Sequence, residues 1–182
     1  GVRSNERTNA STTQCFDPQT GDWAFGLIKR LGIPSEVFGP IVDPGTDLGS
    51  LRPEVADETG LTDVRVVLPG THDTASAVAA VPAASPPSAR PDWCYISLGT
   101  WALVGAELDR PLVTPECMAR NFTNEAGVSG TTRLLKNICG LWLVQQCRAG
   151  WQRAGKDWTW EQLTRLAAEA PPLVTLIDPN DP

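Results

Sequence analysis

The chain has 182 residues, of which 41% are hydrophobic and 20% are charged, with 16 glycines and 16 prolines. This composition is typical of a globular protein and excludes a collagen-like, low-complexity or disordered chain. The 15 basic and 21 acidic residues leave a net charge of −6, which repels nucleic-acid phosphates and anionic membrane surfaces. We therefore expect neither a nucleic acid nor a membrane as a partner.

The five cysteines and the single histidine limit the chemistry further. The cysteines are odd in number and form no Cys-x-x-Cys pair, so we expect reduced thiols in the core of a cytoplasmic protein. One histidine, His72, excludes a metal site that needs two imidazoles, and no metal-binding residues are predicted. The chain opens on Gly1 and has its only methionine at Met118, which indicates a piece of a longer protein.

The first predicted helix lies near the start of the chain. Trp23, Leu27 and Leu31 recur every four residues, which predicts a helix over residues 22–31 with Asp22 as its N-cap. The three apolar side chains share one face of such a helix, and we expect Trp23 to pack in the core.

The middle of the chain alternates irregular and regular segments. Residues 33–63 are rich in Pro, Gly and Asp and predict a surface connection with one short strand. Residues 64–68, with the sequence VRVVL, predict a buried strand. Residues 70–73 then predict a tight turn into a helix that ends at Pro82, and residues 83–92 predict a loop.

Two helices and one strand are predicted in the last third of the chain. Apolar spacing favours a long helix over residues 137–153, and a second helix begins at Thr159, which has capping-box spacing to the glutamine three residues later. We expect Trp142 and Trp160 to pack in the core from these helices. Residues 173–177 are expected to form a last strand or to lead to a strand outside this sequence.

The segment Gly-Thr-His-Asp-Thr at residues 70–74 is the first candidate site. A carboxylate between the end of a strand and the start of a helix lies where open sheets bind ligands, so Asp73 is a candidate general base. The alternative is that Asp73 or Thr71 only caps the following helix. His72 alone is typical of a structural histidine.

A glycine-containing turn is the second candidate site. Residues 93–97 and 101–107 predict two strands of a hairpin joined by residues 98–100. The amides of Gly99 and Thr100 and the Thr100 hydroxyl have the chemistry to receive phosphate oxygens. The alternative is a plain hairpin turn, since no lysine follows as in a Walker loop.

The two segments occur in a recognisable order with two others. GTHDTASAV, YISLGTWALVG, NFTNEAG and LLKNICGLWLVQQ follow one another along the chain. In this order and spacing they resemble the FGGY family of sugar kinases. The resemblance covers nearly the whole chain, including SNERTNASTTQ near its start and IDPNDP at its end.

The resemblance implies an α/β protein with an actin-like, ribonuclease H-like architecture in which two domains flank a cleft. Residues 1–63 would be the end of the sugar-binding domain, and residues 64–182 the beginning of the nucleotide-binding domain. The family's N-terminal Asp-x-Gly-Thr phosphate loop is not in this sequence, and we expect the chain alone to be inactive.

The resemblance also implies a reaction, the ATP- and Mg²⁺-dependent phosphorylation of L-rhamnulose at O1. The alternatives are another FGGY ketose or deoxysugar kinase, of the fuculose or xylulose type, or a binding module without turnover. The implied roles are proton abstraction by Asp73, sugar binding by His72, Asp73, Thr74 and Asn137, and ATP binding by Gly99, Thr100 and Gln145.

One spacing bears on these roles. On the predicted helix, eight residues separate Asn137 from Gln145, a rise of about 12 Å with a rotation of about 80°. We therefore expect both side chains to line one cleft. Leu98 and Ala102 stand where the family pattern favours small hydroxylic residues, so the implied phosphate contacts come from the backbone of the turn.

Overall fold

The structure, a computed structural model, describes residues 2–178. Residues 179–182, which hold most of the closing IDPNDP sequence, lie outside the described residues. Within residues 2–178, short strands and helices alternate first and longer elements follow. In chain order they are β1 (Asn5–Glu6), α1 (Arg7–Ala10), β2 (Phe16–Asp17), β3 (Asp22–Trp23), α2 (Phe25–Arg30), a 3₁₀ turn (Ser35–Val37), β4 (Ile41–Val42), β5 (Asp47–Ser50), α3 (Pro53–Thr59), β6 (Arg65–Val67), α4 (Asp73–Ala79), β7 (Tyr95–Leu98), β8 (Trp101–Leu108), α5 (Pro115–Ala119), β9 (Thr123–Ala126), β10 (Thr132–Cys139), α6 (Trp142–Arg153) and α7 (Trp160–Glu169).

The strands form one larger sheet and three small ones. The larger sheet has the order β7-β8-β10-β9, and β9 and β10 are antiparallel, with Thr132 opposite Ala126. β1 and β4 pair in parallel, whereas β2 with β3 and β5 with β6 are antiparallel pairs. No helix in the described part of the chain is long and apolar enough to cross a membrane.

The chain divides into two compact units. The first unit comprises the residues up to 95 together with residues 105–136, and the second comprises residues 96–104 together with those from 137 onward. Strands β7, β8 and β10 each contribute residues to both units.

The first unit has a small apolar core around Trp23. Trp23, Ala10 and Ile28 are buried together, and the Trp23 ring meets the Phe38 ring edge-on with centroids 4.9 Å apart. The indole nitrogen of Trp23 donates a hydrogen bond to the carbonyl of Gly39 at 2.7 Å, which satisfies its polar atom inside the core.

The prediction of a helix over residues 22–31 is wrong at its start. Asp22 is not an N-cap, since its carboxylate accepts from the amide of Trp23, and both residues pair with β2. The helix begins only at Phe25, which shifts its inward face. Ile28 is therefore buried, while Leu27 and Leu31 are exposed.

The segment around the predicted strand 64–68 also differs from expectation. A strand is present over Arg65–Val67, but all three residues are exposed because the strand pairs only with β5. The preceding stretch holds more regular structure than predicted, including the helix α3. That helix begins with Pro53 and ends at Gly60, whose φ of 73° suits a glycine.

In the second unit, the predicted helix over residues 137–153 is wrong in its first third. Asn137 lies on β10, and the helix α6 begins only at Trp142. Gly140 separates the two elements, and its backbone packs against the turn at Gly99, an approach that sequence spacing does not reveal. Asn137 and Gln145 are therefore not separated by a helical rise.

The last predicted elements are confirmed in part. The helix α7 carries the predicted capping box, formed by Thr159 and Gln162. Trp142 and Trp160 are 46% and 48% exposed rather than in the core, and the Arg148 guanidinium lies 4.8 Å above the Trp160 ring. Residues 173–177 form no strand.

The cysteines are free thiols, as predicted, but none lies in the core. Short elements leave few fully enclosed positions, and two of the thiols are exposed while three are half-buried. The exposed ones are Cys94 and Cys147, and the half-buried ones are Cys15, Cys117 and Cys139.

Candidate active site

Asp73 is the first residue of α4, as the sequence predicts, and its carboxylate is held by its neighbour. Asp73 Oδ1 accepts a hydrogen bond from the Thr74 amide at 2.6 Å and lies 3.3 Å from the Thr74 hydroxyl. Oδ2 has no hydrogen bond within residues 2–178, and the side chain is 96% exposed. The arrangement fixes one carboxylate oxygen and leaves the other open to accept a proton.

Neither Asp73 nor Thr71 is the N-cap of α4, which was the alternative role for these two residues. The N-cap residue of α4 is His72, and no side chain caps the helix there. The Thr71 hydroxyl donates instead to Glu6, in the first unit's β1. Asp73 therefore has no capping bond beyond the one to the amide of the next residue.

His72 and Thr74 flank this carboxylate with different exposures. His72 Nδ1 is shielded from solvent, has no hydrogen-bond partner within residues 2–178, and lies 3.6 Å from Asp73 Oδ1. A buried ring nitrogen without a partner is uncommon and fits a site that receives a ligand hydroxyl. Thr74 is buried, and its hydroxyl is directed at Asp73.

A buried glutamate, which sequence reasoning missed, holds this segment in place. Glu6 Oε2 accepts from the Thr71 amide at 3.0 Å and from the Thr71 hydroxyl at 2.6 Å. The Thr8 hydroxyl accepts from the His72 amide at 3.1 Å. Burial raises the pKa of Glu6, but hydrogen bonds from Thr71 and Thr8 outweigh burial, so the pKa lies below its ordinary value.

The Gly99-Thr100 turn lies in the second unit, and its carbonyls are bound by the start of α6. The Gly99 carbonyl accepts from the Leu141 amide at 2.9 Å. The Thr100 carbonyl accepts from the amides of Gly140 and Trp142, each at 3.2 Å. These bonds use the first amides of the helix and fix the turn against it.

The donors of this turn are divided between its two residues. The Gly99 amide is used within the turn, since it donates to the Trp101 carbonyl at 2.7 Å. The Thr100 amide donates no hydrogen bond within residues 2–178. Gln145 Nε2 donates to Thr100 Oγ1 at 3.3 Å, so the hydroxyl proton of Thr100 remains available for an acceptor.

The predicted site residues fall into two groups, one in each unit. His72, Asp73 and Thr74 adjoin in the first unit. In the second unit the structure brings Thr100 and Gln145 together, while Asn137 is exposed on β10 and has no hydrogen bond from its side chain in the described chain. The Thr100–Gln145 contact joins residues 45 positions apart.

The described part of the chain has no cluster of side chains that could coordinate a magnesium ion. No three His, Cys, Asp or Glu side chains gather there in a way that could hold a metal ion. Residues 2–178 therefore do not provide a site for a resident Mg²⁺, and no step is assigned to one.

Two family models match the chain and identify the class of protein to which it belongs. Residues 1–80 match the model of the N-terminal domain of the FGGY family of carbohydrate kinases, and residues 94–182 match that of its C-terminal domain. The chain therefore belongs to the FGGY family of carbohydrate kinases.

Curated relatives give a more particular likeness. A rhamnulokinase from Bacteroides thetaiotaomicron is 44% identical over 181 residues, which is 100% of this chain and 36% of the relative. A rhamnulokinase from Oceanobacillus iheyensis is 45% identical over 148 residues, covering 81% of this chain and 30% of the relative. The chain thus spans about a third of the length of these relatives.

Solved structures confirm the predicted fold class. A gluconate kinase from Lactobacillus acidophilus matches 92% of this chain and 32% of its own, with a TM-score of 0.68 at 20% identity. A carbohydrate kinase from Novosphingobium aromaticivorans matches 75% of this chain and 30% of its own, with a TM-score of 0.58 at 28% identity. The expected actin-like α/β architecture of an FGGY sugar kinase is therefore confirmed.

Proposed function

We propose that the chain is part of a cytoplasmic kinase that transfers the γ-phosphoryl group of ATP to O1 of L-rhamnulose. The observation that carries the proposal is the Asp73 carboxylate, oriented through one oxygen and open at the other, in a chain whose relatives are named rhamnulokinase. Because the chain spans about a third of those relatives, the activity belongs to a whole kinase that contains it. The free cysteines suit the reducing cytoplasm.

Asp73 supplies the base in this reaction. Its open Oδ2 accepts the proton of the O1 hydroxyl as the sugar oxygen attacks the γ-phosphorus. The bond from that phosphorus to the bridging oxygen breaks, and ADP leaves. His72 donates or accepts at a sugar hydroxyl through its unpartnered Nδ1, while Thr74 keeps the carboxylate oriented and lies beside the bound sugar. The sugar-binding role that the family resemblance implies for Asn137 stays a prediction.

The turn in the second unit supplies the phosphate contacts. Within residues 2–178 the Thr100 amide has no acceptor. Gln145 donates to the Thr100 hydroxyl oxygen, which leaves the hydroxyl proton available for a phosphate oxygen. A Cβ at Gly99 would meet only the Trp101 carbonyl at 3.8 Å, so a phosphate can approach the backbone of this residue closely. ATP would be the source of any Mg²⁺, and bound to the phosphates the ion would offset their negative charge.

The domain division of the chain follows from the same proposal. Residues 1–63 belong to the sugar-binding domain and residues 64–182 to the nucleotide-binding domain. The division at residue 63 stays a prediction.

The test is turnover by the full-length protein that carries this sequence. A coupled assay of ADP release, with L-rhamnulose, L-fuculose, D-xylulose and D-gluconate as acceptors, is expected to show the highest kcat/KM for L-rhamnulose. Mass spectrometry of the product should give a monophosphate, and NMR should place the phosphate on O1. Inactivity on every acceptor refutes the kinase, whereas a preference for L-fuculose or D-xylulose refutes only the choice of sugar. A 182-residue chain that turns over alone refutes the view that the remaining parts are needed.

A further inference from the structure

Two segments that lie far apart in the sequence meet at the base of the Asp73 helix. Glu6 and Thr8, at the junction of β1 and α1, make three hydrogen bonds to Thr71 and His72 across 64 or 65 residues. Glu6 is 5% exposed and Thr8 is fully buried, whereas Thr71 is exposed, so the bonds are partly buried. The next residue along the chain is Asp73, whose own side chain has no hydrogen bond within residues 2–178 except to its neighbour Thr74.

The Glu6 carboxylate also closes the turn from which it projects. Oε1 accepts from the Thr8 amide at 2.8 Å, and Oε2 accepts from the Thr8 hydroxyl at 2.5 Å and the Asn9 amide at 3.2 Å. Both carboxylate oxygens therefore face backbone N–H groups, which can only donate. A neutral amide in this place turns an NH₂ group toward one of them, whichever way it is oriented.

Glu6 makes more hydrogen bonds than an ordinary helix cap needs. A cap needs one oxygen at the amides of its own helix, and here that need is met by the bonds to Thr8 and Asn9. The bonds to Thr71 are additional and serve a segment of another element. They restrain the extended backbone of His72, whose ψ of 120° directs the chain into α4.

We infer that Glu6 is a positioning residue, which with Thr8 sets the place of Asp73 by holding the backbone of Thr71 and His72. The inference rests on the proposed function in that Asp73 is the base whose position matters. A displacement of about 1 Å at a reacting group lowers turnover by about 100-fold. Loss of the Glu6 bonds is therefore expected to lower kcat by about 10- to 100-fold and to leave the KM for ATP unchanged, since Thr100 and Gln145 belong to the other unit.

The test uses the full-length protein with three variants and two readouts. Glu6→Gln keeps the shape but removes the charge, Thr71→Val removes one bond to Glu6, and Thr71→Ser keeps that bond. Steady-state kinetics at a temperature where all variants are folded gives kcat and KM. Hydrogen exchange of the amides at residues 70–74, measured without substrates, reports the local restraint directly.

The matched control is Glu125→Gln, the same substitution at another shielded glutamate of the first unit. Glu125 pairs with the fully buried Arg133 at 3.0 Å and makes no bond to residues 70–74. This variant is expected to lower the melting temperature while keeping kcat and the exchange rates at residues 70–74. The control therefore distinguishes a general loss of stability from displacement of the segment that holds Asp73.

The expected result is faster exchange at residues 70–74 and a reduced kcat in Glu6→Gln and Thr71→Val, with both restored in Thr71→Ser. If Glu6→Gln does not fold, Thr71→Val and Thr71→Ser decide. Unchanged exchange and a kcat within twofold of wild type overturn the inference. An unsubstituted protein that phosphorylates no sugar overturns the proposed function instead, and the exchange rates then show separately whether the restraint exists.

Discussion

Replacing Gly140 with alanine is expected to destabilise the second unit by about 3 kcal/mol. A Cβ at this position would lie 2.6 Å from the Gly99 carbonyl oxygen and 2.6 Å from the Trp101 carbonyl carbon. Both contacts are with backbone, so the turn or the start of α6 has to move. Overpacking of this kind costs about 1–3 kcal/mol. Movement also weakens the bonds from the Gly140, Leu141 and Trp142 amides to the turn, which contribute about 1 kcal/mol each.

Gly150 is the matched control for this substitution. It lies within α6, where a Cβ would meet only the end of the Arg153 side chain at 3.9 Å. Alanine in a helix is favoured over glycine by about 0.5–1 kcal/mol. Gly150→Ala is therefore expected to stabilise the same helix that Gly140→Ala destabilises, although the two changes are chemically identical.

Urea unfolding of the two variants, followed by tryptophan fluorescence, measures the difference. Nucleotide titration by calorimetry provides the second readout, because displacement of the turn separates Thr100 from Gln145. Gly140→Ala should bind ATP more weakly, and Gly150→Ala should bind it as wild type does. If Gly140→Ala is as stable as wild type, the tight contact between Gly140 and the turn is not as described.

Three further predictions concern the first unit. Asp73→Asn should lower kcat of the full-length kinase by about 10²–10⁴-fold. Its free energy of unfolding should fall by at most about 1 kcal/mol, since asparagine can still accept from the Thr74 amide. Steady-state kinetics and a thermal melt measure the two effects, and normal turnover would make Asp73 a structural residue. Folding lowers the pKa of Glu6, so its stabilising contribution is present above the ordinary pKa of 4.5 and is lost as the pH falls through the lowered value. Thermal melts between pH 7 and pH 3 should show a steeper fall in melting temperature for wild type than for Glu6→Gln. Equal falls in the two proteins contradict this prediction. Burial raises the pKa of Tyr95 to about 12, so the unfolded chain releases this proton at lower pH and the stability of the fold decreases between about pH 10 and pH 12. The free energy of unfolding should fall less steeply with pH in this range for Tyr95→Phe than for wild type. Identical slopes contradict the burial of the hydroxyl.

Features governed by neighbouring residues were predictable from the sequence. The capping box of α7 needs only Thr159 and Gln162, three positions apart, and it forms as expected. The hairpin around Gly99 and the start of α4 at Asp73 are likewise set by short segments with turn residues or a helix-starting pattern. Local hydrogen bonds decide such elements before distant parts of the chain contribute.

Features that depend on distant packing were not predictable. Residues 137–139, for which the apolar spacing predicted a helix, are the end of strand β10. β10 lies between β8 and β9 in the sheet, and such pairing with neighbouring strands overrides local spacing. Gly140 ends that strand by its contact with Gly99, 41 positions earlier, which no spacing rule reveals. Glu6 was missed for the same reason, since nothing near it in the sequence points to Thr71.

The link from Glu6 to Thr71 has a consequence for the order of folding. A contact across 65 residues forms only after a long loop has closed, whereas the helix turns on either side form from neighbours alone. The backbone leading to Asp73 is therefore expected to acquire its final place after the helix turns of α1 and α4 have formed. Loop closure depends weakly on length, with each doubling of the loop costing about 0.6 kcal/mol, so insertions between residues 33 and 63 are expected to slow this step slightly and leave the endpoint unchanged.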